Sequence, residues 1–224
     1  MIDKKFSLIN KYCLITGGAG LLGPEHAKAI LEIGGNVILT DKNISKLKSV
    51  VESTKLQFKK TKIIYYKMDV TKQNEIKSVF NKLRKKKINV DILINNAAID
   101  AKVNKKMSNY NNNFESFSLK EWEKQISVGL TGSMLCSQVF GTFMSKRKKG
   151  VILNIASDLS VIAPDQRLYS SSKHNQHFKP VTYSVIKHGL IGLTKYLSTY
   201  WPTKNIRCNS LSPGSIEQNQ SKNF

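Results

Sequence analysis

Residues 12–23 read YCLITGGAGLLG: Tyr12 to Thr16 are β-rich and apolar, and three glycines follow at intervals of three, Gly17, Gly20 and Gly23. An amphipathic helical pattern runs on to about Ile33 and stops at Gly34-Gly35. A glycine turn between a strand and a helix marks a dinucleotide-binding unit far better than glycines alone do. Gly17 permits the tight turn, Gly20 lets backbone approach a pyrophosphate, and Gly23 lets helix and strand pack closely. The N–H groups at the helix entrance, Leu22 among them, offer positive potential to phosphates. An ordinary glycine turn is the competing reading, and the strand before and helix after weigh against it.

The same alternation continues outward. Further strands are expected at 36–40 (NVILT), 62–67, 90–94 (VDILI), 151–155 and 205–211, with helices at 44–58, 71–85, 119–146 and from about 180 to 200. The strands are almost unbroken apolar runs, as required when helices cover both sheet faces. This predicts an α/β fold, a doubly wound parallel sheet of Rossmann type. The polar stretches 101–118 and 165–179 read as surface loops. A length of 224 residues suits one hydrophobic core, so a single domain spanning 1–224 is expected.

The formal charge is +21, carried by 36 Lys and Arg against 15 Asp and Glu. Basic clusters such as Arg84 to Lys87 and Lys146 to Lys149 fall where helices should end, which suits the helix dipole. No nucleic-acid motif accompanies the charge, so no nucleic-acid partner is expected. A positive field would still gather anionic substrates. No apolar run has membrane-spanning length and the first residues hold no signal core, so a cytoplasmic protein without a membrane partner is expected. Cys13, Cys136 and Cys208 lack zinc or disulfide spacing and read as buried thiols. His26, His174, His177 and His188 form no metal set, because the HxxH pair has no acid or thiol nearby.

The residues that carry chemistry lie at strand carboxyl ends. Asp41 closes the second strand, where an acid can accept both ribose hydroxyls of NAD and repel the 2′-phosphate of NADP. A helix cap is its alternative role. Asp69 and Val70 end the third strand; Asp69 is placed either to meet an adenine amino group or to cap the next helix. Asn96 and Ala97, in Asn95-Asn96-Ala97-Ala98, suit a backbone lying against a cofactor. Ser157 follows the fifth strand. Tyr183 and Lys187 stand four apart and share one helix face. A cationic lysine there favours phenolate, making Tyr183 an acid/base near neutral pH, with Ser157 holding the substrate oxygen. Tyr169 and Lys173 repeat the spacing in a polar stretch close to Pro180. Tyr183 is preferred because the apolar stripe Ile186, Leu190, Leu193 and Leu197 makes its helix credible.

Taken in order, TGGAGLLG, Asp41, Met68-Asp69-Val70, NNAA, Ser157, YSVIK at 183–187 and Ser212-Pro213-Gly214 resemble the classical short-chain dehydrogenase/reductase family. The resemblance implies a nicotinamide cofactor, hydride transfer at an alcohol or carbonyl, and ribose binding by Lys187. It also implies nicotinamide contacts near Pro213, Gly214 and Ile216. The stretches 128–141, 154–169 and 179–197 look like bacterial members of surface-glycan and flagellin-glycan pathways, which implies a sugar-derived substrate. NAD is the expected cofactor, in preference to NADP. A 3-ketoacyl-type reductase and an inactive NAD-binding module are the alternatives.

Three departures stand out. The glycine spacing is TGxxGxxG in place of TGxxxGxG. Gly129 stands where the family has the asparagine of a water-linked proton relay. The chain stops at Phe224, short of a substrate-covering segment and seventh strand, as expected of a fragment, a truncated reading frame or a distinct short form. Apolar residues on the two long helices (Val139, Phe140, Phe143 and Met144, then Tyr196, Tyr200 and Trp201) predict a homodimer or homotetramer.

Overall fold

The computed structural model describes residues 4–59, 61–99, 112–169 and 178–216. Its centre is one parallel six-stranded sheet: β1 (Tyr12–Thr16), β2 (Asn36–Asp41), β3 (Ile63–Lys67), β4 (Ile92–Asn95), β5 (Gly150–Ile155) and β6 (Ile206–Leu211). The order is β3-β2-β1-β4-β5-β6, so the winding direction reverses between β1 and β4. In such a sheet ligands bind outside the strands' carboxyl ends at that reversal. β4 starts at Ile92, two residues later than expected. Asp91 is occupied otherwise: its carboxylate accepts the Tyr12 N–H at 3.1 Å and pairs with Arg147 at 2.6 Å.

Helices α1 (Gly23–Glu32) and α2 (Ile44–Gln57) cover one face, burying Ala27, Leu31, Leu47 and Val51 against β1 and β2. The other face carries α3 (Gln73–Lys85), the long helix α4 (Leu119–Lys146) and α5 (Val181–Tyr200). The doubly wound architecture is therefore present. α1 begins at Gly23 with Pro24 in its first turn, a position where a missing N–H costs nothing. β6 alternates buried Ile206 and Cys208 with exposed Arg207 and Asn209. This is the pattern of a strand covered on one side.

α4 is continuous but contains two π-helical turns, Ser127–Thr131 and Ser137–Gly141. The second brings Ser137 to the sheet, where Asn95 donates to its hydroxyl at 3.0 Å. Asn95 also donates to Asn154 at 2.8 Å, and Asn154 donates to Thr194 of α5 at 2.8 Å. This buried chain ties α4, β4, β5 and α5 together. By length and composition α4 is apolar enough to cross a membrane. Here it lies on the sheet, with Cys136, Phe140 and Met144 fully buried.

That burial corrects the expected assembly surface. Phe140 and Met144 belong to the core, and Phe143 packs on Phe80 at 5.3 Å beneath the Arg84 guanidinium. Tyr196 and Tyr200 remain outside, 61% and 59% exposed and stacked on each other. All three cysteines are buried and unpaired.

Candidate active site

The glycine turn sits at the sheet's reversal point. Gly17 has φ +64°, and a Cβ there would lie 2.8 Å from the Ala97 Cα. A Cβ on Gly23 would lie 2.6 Å from the Gly17 carbonyl oxygen. Both positions therefore exclude a side chain. At Gly20 the nearest atom to an added Cβ is the Gly17 oxygen at 3.1 Å, so this glycine is the more open of the three. Among the described residues, no hydrogen bond uses the Leu21 or Leu22 N–H. An open glycine beside unused N–H groups at a helix entrance fits a pyrophosphate. The altered glycine spacing keeps that cradle intact.

Of the other predicted cofactor residues, Asp41, Asn96 and Ala97 bond to this turn or to the strand before it. Asp41 accepts the Ala19 N–H at 3.0 Å with one oxygen and the Asn43 N–H at 2.9 Å with the other. Its carboxylate thus holds both the glycine turn and the entry to α2. Asn96 donates to the carbonyls of Thr16 at 2.9 Å and Gly17 at 3.1 Å, locking β4's end onto β1's end. Ala97 donates its N–H to the Thr16 hydroxyl at 3.1 Å. Asp69 accepts from the Thr71 N–H at 3.0 Å and the Thr71 hydroxyl at 2.8 Å, and Glu75 accepts its N–H at 2.8 Å. These bonds close a local turn before α3, whose capping position is Lys72 and has no side-chain cap, so Asp69 does not cap that helix. Burial acts to raise its pKa, but the two Thr71 bonds, with Lys72 and Lys42 nearby, leave the carboxyl below its ordinary value. Val70 is buried against Gly132 of α4.

Ser157, Tyr183 and Lys187 come together beyond β5. Tyr183 donates its hydroxyl to Ser157 Oγ at 3.1 Å. Lys187 is buried, donates to the Ile155 carbonyl at 2.7 Å, and holds Nζ 5.7 Å from the Tyr183 ring centroid. Pro213 lies alongside, its carbonyl accepting the Asp158 N–H at 3.0 Å. Gly214 has open space where a Cβ would stand, and Ile216 is 38% exposed.

Two neighbours went unnoticed in the sequence. Asp158 accepts the Ser157 hydroxyl proton at 2.7 Å, and Lys179 lies over the Tyr183 ring at 4.0 Å. The only sequence signal for either was adjacency, one residue after Ser157 and four before Tyr183.

Gly129 lies in the first π-turn of α4. A Cβ there would meet Ile186 Cγ2 at 2.7 Å, so Ile186 fills the space an asparagine would need. The fit is reciprocal, because a Cβ on Gly189 would lie 2.9 Å from Leu130. One turn earlier, buried Thr182 donates to buried Gln125 at 2.5 Å. Of the alternative pair, Tyr169 ends a short 3₁₀ turn, and Lys173 lies outside the described residues, as do His174 and His177. Among the described residues no cluster of His, Cys, Asp or Glu can hold a metal. Burial pushes the His26 imidazole below its ordinary pKa.

A glycine cradle at a sheet reversal and a Ser-Tyr-Lys set beyond the next strand define a dinucleotide-dependent enzyme class. Residues 11–178 match the short chain dehydrogenase family, and the chain belongs to that family. Its members are oxidoreductases that bind a nicotinamide cofactor and act on small molecules. The short chain dehydrogenase/reductase dpfgG of Gibberella zeae is 36% identical over 215 residues, covering 94% of this chain and 71% of that protein. The post-translational flagellin modification protein A of Campylobacter coli is 28% identical over 217 residues, covering 97% and 81%. A gluconate 5-dehydrogenase from Burkholderia cenocepacia, solved with NADP and tartrate, superposes with a TM-score of 0.78 at 23% identity, covering 95% of this chain and 74% of that one.

Proposed function

We propose that this chain, acting as one domain, is a cytoplasmic NAD-dependent oxidoreductase that interconverts an alcohol and a ketone on a sugar derivative of surface-glycan biosynthesis. The observation that carries this reading is the 3.1 Å contact between Tyr183 and Ser157, with Lys187 close to the ring. The glycine cradle with Leu22 would hold the pyrophosphate, Asp41 the adenosine ribose, and Lys187 the nicotinamide ribose. Asp69, Val70, Asn96 and Ala97 would line the adenosine and central parts, and Pro213, Gly214 and Ile216 the nicotinamide. When bound, the nicotinamide cofactor would supply the hydride chemistry that links alcohol and ketone. Ser157 holds the reacting oxygen, while Tyr183 takes its proton on oxidation and gives it back on reduction. Asp41 supports NAD, since its carboxylate would repel a 2′-phosphate. The flagellin-modifying relative supports a glycan substrate.

Gly129 favours a second reading, an NAD-binding module without turnover, because Ile186 leaves no room there for a relay asparagine. Redox turnover against a panel of sugars and nucleotide-linked sugars separates the two. Tyr183→Phe is expected to abolish turnover and keep NAD binding within about twofold, since it removes only the proton-transfer group. Tyr169→Phe is expected to retain most activity. The reverse pattern would move the acid/base to the other tyrosine.

A further inference from the structure

Lys187 is not the only cation beside Tyr183. Lys179 holds Nζ 4.0 Å from the ring centroid, nearer than the 5.7 Å of Lys187. Its backbone is fixed: the Lys179 N–H donates to Gln166 at 2.9 Å, and the Gln166 amide donates to the Lys179 carbonyl at 3.3 Å. Pro180 follows as the cap of α5, and its carbonyl accepts the Tyr183 N–H at 3.0 Å. Loop and helix entry therefore carry Lys179 to one ring face, while Lys187 approaches from the next turn of α5.

We propose that Lys179 is a second electrostatic positioning residue of the active site, stabilising the phenolate of Tyr183 through the ring face. The proposal rests on Tyr183 being the acid/base. A cation over a neutral phenol feels only the ring quadrupole. Over a phenolate it feels a full negative charge as well. The difference favours the ionised form. The opposing charge is Asp158, whose carboxylate accepts the Ser157 hydroxyl at 2.7 Å. With Ser157 Oγ between them, that carboxylate disfavours phenolate. Among the described residues, Lys187 and Lys179 together outnumber it. Both Lys179 and Tyr183 are half-buried, so solvent only partly screens the pair.

The test titrates Tyr183 directly by NMR in protein labelled at tyrosine Cζ, with Tyr183→Phe assigning the signal; no substrate is needed. Lys179→Met is expected to raise the Tyr183 midpoint by about 0.5–1 pH unit, and Lys179→Arg to return it towards the unaltered value. A midpoint unchanged or lowered in Lys179→Met overturns the proposal, as does a rise that Arg fails to reverse. Turnover by Tyr183→Phe is a separate measurement. Retained activity there would remove the acid/base reading even if the two side chains prove coupled.

Discussion

At the scale of single residues, Asp41 serves two ends. It braces the glycine turn through Ala19 and holds the N–H of Asn43, the residue that caps α2, before any cofactor is considered. Asp41→Ala should therefore weaken NAD binding by roughly tenfold or more, as expected for loss of a charged acceptor. NADP binding should suffer less, so the gap between the two narrows. Calorimetry checks this, and tighter NADPH than NADH binding by the unaltered protein would remove the basis for NAD preference. The placement of Asp41 and Ser157 at strand ends, and of Tyr183 and Lys187 on one helix, was legible because strand ends and a four-residue helical spacing are local patterns. Asp158 and Lys179 were not. A carboxylate after a serine and a lysine before a proline have many surface uses, and only the folded chain brings them to the hydroxyl pair and the ring.

At the scale of elements, most strand and helix limits followed from apolar runs, glycines and prolines. The internal turns of α4 did not, because a π-turn inserts no residue type that a periodicity count would flag. Its cause is tertiary: Ser137 must reach Asn95, and Gly129 must receive Ile186. The same contact makes Gly129 more than a lost side chain. Gly129→Asn should not restore a family-like relay. It should instead cost about 1–3 kcal/mol by overpacking against Ile186 and lower the melting temperature by several degrees. Adding Ile186→Ala should recover part of that loss. A scanning-calorimetry trace for Gly129→Asn that matches the unaltered protein would show that α4 and α5 are not held this tightly.

At the scale of the whole molecule, Tyr196 and Tyr200 form an exposed aromatic pair on α5, with open space beside Gly192 one turn before Tyr196. With Phe140 and Met144 assigned to the core, this smaller surface carries the proposed assembly. Light scattering at micromolar concentration should give at least twice the 25.2 kDa of one chain. A stable mass of one chain would leave the tyrosines without that purpose. The charge of +21 would keep such particles apart at low salt and draw in anionic substrates. The three buried thiols have a consequence of another kind. Burial pushes Cys208 up to about 11 and Cys136 up to about 12, from 9.0, and raises Cys13 as well. Below the unfolded thiol value the folded chain loses nothing by keeping them protonated. As pH rises beyond 9.0 the unfolded chain gains by ionising, and stability should fall until about 11 to 12. At neutral pH an aromatic disulfide reagent should find no thiolate until the sheet opens. Three sulfurs on β1, α4 and β6 then act as a clock, and their labelling rates should coincide if the molecule opens all at once and separate if β6 leaves first.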